Sequence, residues 1–118
     1  MDELMNMFEK MMPGFLNAFD FFLNLKSEPV ARNTVETEDG VIYNVSTVWT
    51  SDTDKYETSI CVDYNDKRIL EWVVVEYYDT KEEAEFGHME WMSKLENEAP
   101  TCFFSVQDKH IYMFEIVD

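Results

Sequence analysis

Strict alternation in the middle of the chain most constrains its fold. Val41, Tyr43, Val45, Thr47 and Trp49 occupy every second position of 41–50, and Tyr56, Thr58, Ile60 and Val62 do the same in 55–63. Successive side chains of a strand point to opposite faces, so each run offers one apolar or β-branched face. The opposite face of the second run holds Glu57, Ser59, Cys61 and Asp63. A helix would scatter these residues around its surface. Two such strands require a sheet buried on one side.

Turn residues extend the pattern. A strand near 30–37 reaches Glu38-Asp39-Gly40, a turn signal. Ser51-Asp52-Thr53-Asp54 is a polar loop, and Asn65-Asp66-Lys67 a further turn. The strand expected at 68–78 has Ile69, Val73, Val75 and Tyr77 on one face and Leu70, Trp72, Val74 and Tyr78 on the other. Apolar on both faces, it is expected at the centre of the sheet. Asp79 or Thr80 then caps a helix, with Thr80 and Glu83 at capping-box spacing. Its inner stripe is Ala84, His88, Trp91, Met92 and Leu95, and Gly87 permits close approach to the sheet. Phe86 and Met89 fall off that stripe, among Glu82, Glu85 and Glu90, as an apolar pair ringed by acids that suits either a small binding patch or contact with the N-terminal helix. Pro100 ends the helical region, and strands near 101–107 and 110–117 form a hairpin.

The first 25 residues read differently. Met1, Leu4, Phe8, Met11, Phe15, Ala18, Phe22 and Leu25 follow a 3-4 spacing, the mark of an apolar helical face. Pro13-Gly14 either kinks it or divides it into two short helices, 2–12 and 14–26. Burying one such side chain is worth roughly 1.5–3 kcal/mol, so the stripe needs cover. Phe15, Phe19, Phe22 and Leu23 are expected to close the core. The methionine-rich half, Leu4, Met5, Phe8, Met11 and Met12, is the expected surface for self-association, since Met adapts to varied partners. The expectation is one α+β domain over 1–118. Its antiparallel sheet has about six strands, in the order α-β-β-β-β-α-β-β, with a kinked apolar N-terminal helix.

Charge narrows the function. Twenty-five acids against nine bases leave a net charge of −16. Such a chain repels nucleic acid and anionic membranes and attracts a basic protein surface. Asp2 and Glu3 stand where a signal peptide carries bases, and no run of about 18 apolar residues offers a membrane span. Two cysteines make no disulfide framework.

Catalytic and cofactor motifs are weak. His88 lies on an apolar stripe, where a packed histidine is the simpler reading, and His110 reads as solvated. Cys61 has carboxylates for neighbours, which blunt a thiol nucleophile. Asp52, Asp54 and Glu57 form D-x-D-x-x-E, but the glycine of a calcium loop is missing and Asp63 stands at the twelfth position. The aromatics Trp49, Trp72, Tyr77, Tyr78, Trp91, Phe103 and Phe104 lack interleaved bases and read as core, not as a base-stacking platform. No catalytic residue, cofactor or metal is expected.

Glu38-Asp39-Gly40, Tyr56-Glu57-Thr58, Tyr64-Asn65-Asp66, the run from Val74 to Ala84, Gly87-His88 and Trp91 together resemble a family of small phage-encoded proteins without an assigned activity. The resemblance covers 35–95 and implies a viral origin and a shared fold, with no catalytic residue to carry over. With the charge, it leads to an expectation of a non-enzymatic phage accessory protein in the host cytoplasm. Such a protein would bind and inhibit a host protein with a basic surface, a CRISPR- or nuclease-type defence component. The expected contacts are Glu36, Glu38, Asp39, Asp52, Asp54, Glu82, Glu85 and Glu90, as a mimic of nucleic acid. The alternative is a viral structural or assembly protein that self-associates through the N-terminal helix.

Overall fold

A computed structural model describes residues 27–116. Strands β1 (Ser27–Glu36), β2 (Ile42–Thr50), β3 (Lys55–Tyr64) and β4 (Lys67–Tyr78) precede one helix, α1 (Lys81–Glu98), and two short strands, β5 (Cys102–Phe104) and β6 (Ile111–Met113). The first four form an antiparallel sheet in the order β1-β2-β3-β4, and the last two a separate ribbon.

The alternation seen in the sequence sets the register. Tyr43 lies opposite Val35 and Val62, and Val45 opposite Asn33 and Ile60. Val35, Tyr43, Val45, Ile60 and Val62 make one face, joined in a single core by Leu95 of α1, Phe103 of β5 and Phe114 just after β6. The Tyr43 ring meets Phe103 and Phe114 edge-on, at centroid distances of 6.2 and 6.4 Å. Its hydroxyl donates to the Pro100 carbonyl at 2.7 Å. Helix and ribbon therefore lie side by side on the same face of the larger sheet.

The opposite face has its own polar cover. Arg32 and Arg68 both stack on Trp72, at 5.6 and 5.8 Å from the ring centroid. Asp63 accepts from Arg68 and, at 2.9 Å, from Asn44. Cys61 belongs to this face and is fully buried.

Two expectations need correction. One α+β sheet of about six strands does not form: the described chain is mostly antiparallel sheet, split four and two, with one helix after the first four strands. The ribbon strands have only three residues each, and a single Val106 N–H to Val74 carbonyl bond of 2.9 Å links the loop after β5 to β4. Nor is β4 central, since it lies at the edge. Its pairing with β3 shifts register three times, between Thr58/Ser59, Ile60/Val62 and Val62/Asp63, so β4 carries extra residues. Each bulge resets the alternation, which is why Val73, Val74 and Val75 are all buried. The doubly apolar pattern records these bulges, not centrality. The kinked N-terminal helix, the residues Phe15, Phe19, Phe22 and Leu23 expected to close the core, and the self-association set Leu4, Met5, Phe8, Met11 and Met12 lie outside the described residues.

Candidate protein-binding face on the helix

The helix begins at Thr80, whose Oγ1 accepts from the Glu83 N–H at 3.1 Å and donates to the Glu83 carboxylate at 3.0 Å. Glu82 and Glu83 sit where the helix dipole favours negative charge. At the other end Ala99 takes a left-handed conformation, φ 44°, and its N–H donates to the Leu95 carbonyl at 3.1 Å.

A chain of polar side chains holds the inner face of α1 to the sheet. Asn33 Oδ1 accepts from His88 Nε2 at 2.9 Å, and His88 Nδ1 meets the Thr47 hydroxyl at 2.7 Å. Thr47 meets Thr58 at 2.6 Å, and Thr58 meets the Tyr78 hydroxyl at 3.1 Å. Glu76 Oε1 accepts from Tyr78 at 3.1 Å and from Trp91 Nε1 at 2.8 Å. The chain crosses all four strands and touches α1 twice. Gly87 sits against Tyr78 so closely that a methyl group there would overlap the ring and its hydroxyl. Buried hydrogen bonds demand specific geometry, so these contacts set the rotation of α1 about its axis.

With the inner face set, the outer face follows. Phe86 and Met89, three residues apart and therefore adjacent on the helix surface, are 65% and 69% exposed. Glu82 lies one turn before Phe86, Glu85 one turn before Met89 and Glu90 one turn after Phe86; all three are exposed. Nearby, Lys94 lies over the Trp91 ring at 4.9 Å. Apolar anchors inside a charged rim are the usual anatomy of a protein contact.

The eight expected contacts do not form one surface. Glu82, Glu85 and Glu90 share the outer face of α1. Asp52 and Asp54 belong to the β2–β3 turn, at the sheet end where α1 starts, and the neighbouring Lys55 pairs with Asp79 at 2.6 Å. Glu36, Glu38 and Asp39 lie at the β1–β2 turn, beyond the other end of nine-residue β2, roughly 30 Å away at 3.3 Å per residue.

Sites weighed for chemistry have structural occupations. His88 is buried, and desolvation pushes its pKa below 6.5. Burial first, opposed by Arg68, holds the Cys61 thiol above its ordinary value. Glu57 is raised above the usual carboxylate range by burial first and by Asp52 second. Among the described residues no three His, Cys, Asp or Glu converge as a metal-ligand set. His110 is exposed, and its backbone N–H donates to Asp108 at 3.1 Å. A groove of about 200 Å³ lies between α1 and the ribbon, lined by Trp91, Lys94, Pro100, Cys102 and Phe104 among others.

The aromatic set is not all core. Phe103 is buried, but Phe104 and Trp72 are 50% and 40% exposed. Ile111 and Met113 are exposed as well, and the signal for it is the apolar run Cys102-Phe103-Phe104, which in a strand must turn one side outward. Comparison with known protein families, with curated proteins and with solved structures finds no match for this chain.

Proposed function

We propose that this chain is a non-enzymatic phage accessory protein that binds a basic, nucleic-acid-handling surface of a bacterial defence component and inhibits it in the host cytoplasm. The observation that carries the reading is the outer face of α1: Phe86 and Met89, exposed between Glu82, Glu85 and Glu90. The carboxylates occupy Lys and Arg sites that otherwise hold phosphates, while the apolar pair adds contact area that a phosphate backbone lacks. A helix already held in place loses little freedom on binding. The net charge of −16 steers the encounter toward a basic target. The resemblance of residues 35–95 to phage-encoded proteins supports the setting.

The test is capture from bacterial lysate with the tagged full chain at about 0.15 M and about 1 M salt, which shorten the screening length to about 8 and 3 Å. The expected result is one nucleic-acid-binding protein retained at the lower salt, lost with Glu82→Lys/Glu85→Lys/Glu90→Lys, and weakened with Phe86→Ser/Met89→Ser. Retention of no basic protein, or equal retention by all three chains, overturns the proposal.

A further inference from the structure

The β5–β6 ribbon carries an apolar face that no described element covers. Cys102 pairs with Met113 and Phe104 with Ile111, so the four share one face, while Phe103 at the alternate position turns into the core. Cys102 is exposed, and Phe104, Ile111 and Met113 are 50%, 66% and 69% exposed. Within the ribbon no charge separates the four, and Lys94 of α1 borders Cys102 and Phe104 across the groove. One stretch of the sequence has the complementary need, the apolar stripe of residues 1–25. We propose that its methionine-rich half, Leu4, Met5, Phe8, Met11 and Met12, docks in cis on Cys102, Phe104, Ile111 and Met113.

Reach permits this. The ribbon packs on Tyr43, which lies opposite Val35. Val35 is eight residues from Ser27 along β1, roughly 26 Å. Met12 to Leu4 lie 15 to 23 residues before Ser27, roughly 23–35 Å even wound as a helix and more where the chain is extended. The tether holds the segment near the ribbon at an effective concentration of millimolar order, whereas a second copy brings another −16 charges with it. The second face of the larger sheet is a poorer seat. Arg32, Arg68 and Asp63 lie there in stacked and ion-paired contacts, and covering them would strip water from charged groups.

The native Cys102 supplies the test in the full chain. Met5→Cys and, separately, Met12→Cys are treated with a short bismaleimide at low protein concentration, and the products are mapped by mass spectrometry. The expected result is a bridge to Cys102 within one chain. In the unsubstituted protein, maleimide should label Cys102 about tenfold more slowly than in Phe8→Asp, as a docked state favoured about ten to one requires. Fully buried Cys61 reports on folding, and if Phe8→Asp exposes it, the bridging result decides. Bridges that join two chains place a second copy on the ribbon and overturn the proposal. Absence of any bridge to Cys102 overturns it equally.

Discussion

His88 is held in the interior by two partners and by the cost of charging it there. Asn33 Oδ1 accepts from Nε2–H, so in the neutral ring Nδ1 accepts from the Thr47 hydroxyl. Thr58 then donates to Thr47, and the single Tyr78 hydrogen serves both Thr58 and Glu76. Burial lowers the His88 pKa below 6.5. In the pH window below that value the unfolded chain takes up a proton that the folded chain resists, so this group's contribution to stability falls as the pH falls, until the folded pKa is reached. Urea unfolding of the wild type and His88→Gln between about pH 7.5 and pH 5 checks the sign. The stability advantage of the wild type should shrink on acidification, and an advantage that grows would mean that the fold favours the protonated ring.

Gly87 decides how closely α1 approaches the sheet. In an exposed helix, Gly→Ala gains about 1 kcal/mol of propensity. Here the added methyl would overlap the Tyr78 ring, and overpacking costs about 1–3 kcal/mol, with the Thr58–Tyr78–Glu76 links displaced as well. Gly87→Ala should therefore destabilise the protein by about 2 kcal/mol in denaturant unfolding; a neutral or stabilising result would mean that α1 stands further off. Much of this element was legible in the residues. The Thr80–Glu83 cap, the inner stripe and the close approach at Gly87 follow from local spacing, as do β2 and β3 from alternation. The edge position of β4 did not, because bulges change the phase of a strand without changing its composition. The Asn33–Glu76 chain was also hidden, since its links join residues 41 and 55 positions apart. At the candidate face, spacing placed Phe86 and Met89 off the inner stripe, but only the packed fold showed that no described element covers them.

At the scale of the molecule, the proposed function divides the work between charge and shape. On that proposal the −16 charge steers the encounter over distance, whereas the α1 face would act on contact. The acids at the two ends of the sheet are roughly 30 Å apart, so one compact partner site cannot engage them all without spanning the sheet. On the proposed function, recognition would fall to Glu82, Glu85 and Glu90 around Phe86 and Met89, with Asp52 and Asp54 adjoining and Glu36, Glu38 and Asp39 contributing to the field. The most direct measurement is competition, in which a labelled oligonucleotide bound to the purified captured partner is titrated with the full chain at about 0.15 M salt. Mutual displacement is expected, because two ligands of one basic surface weaken each other equally, with a loss of at least roughly tenfold in competing strength for Glu82→Lys/Glu85→Lys/Glu90→Lys. A ternary complex in which the chain and the oligonucleotide bind together, neither weakening the other, would contradict it.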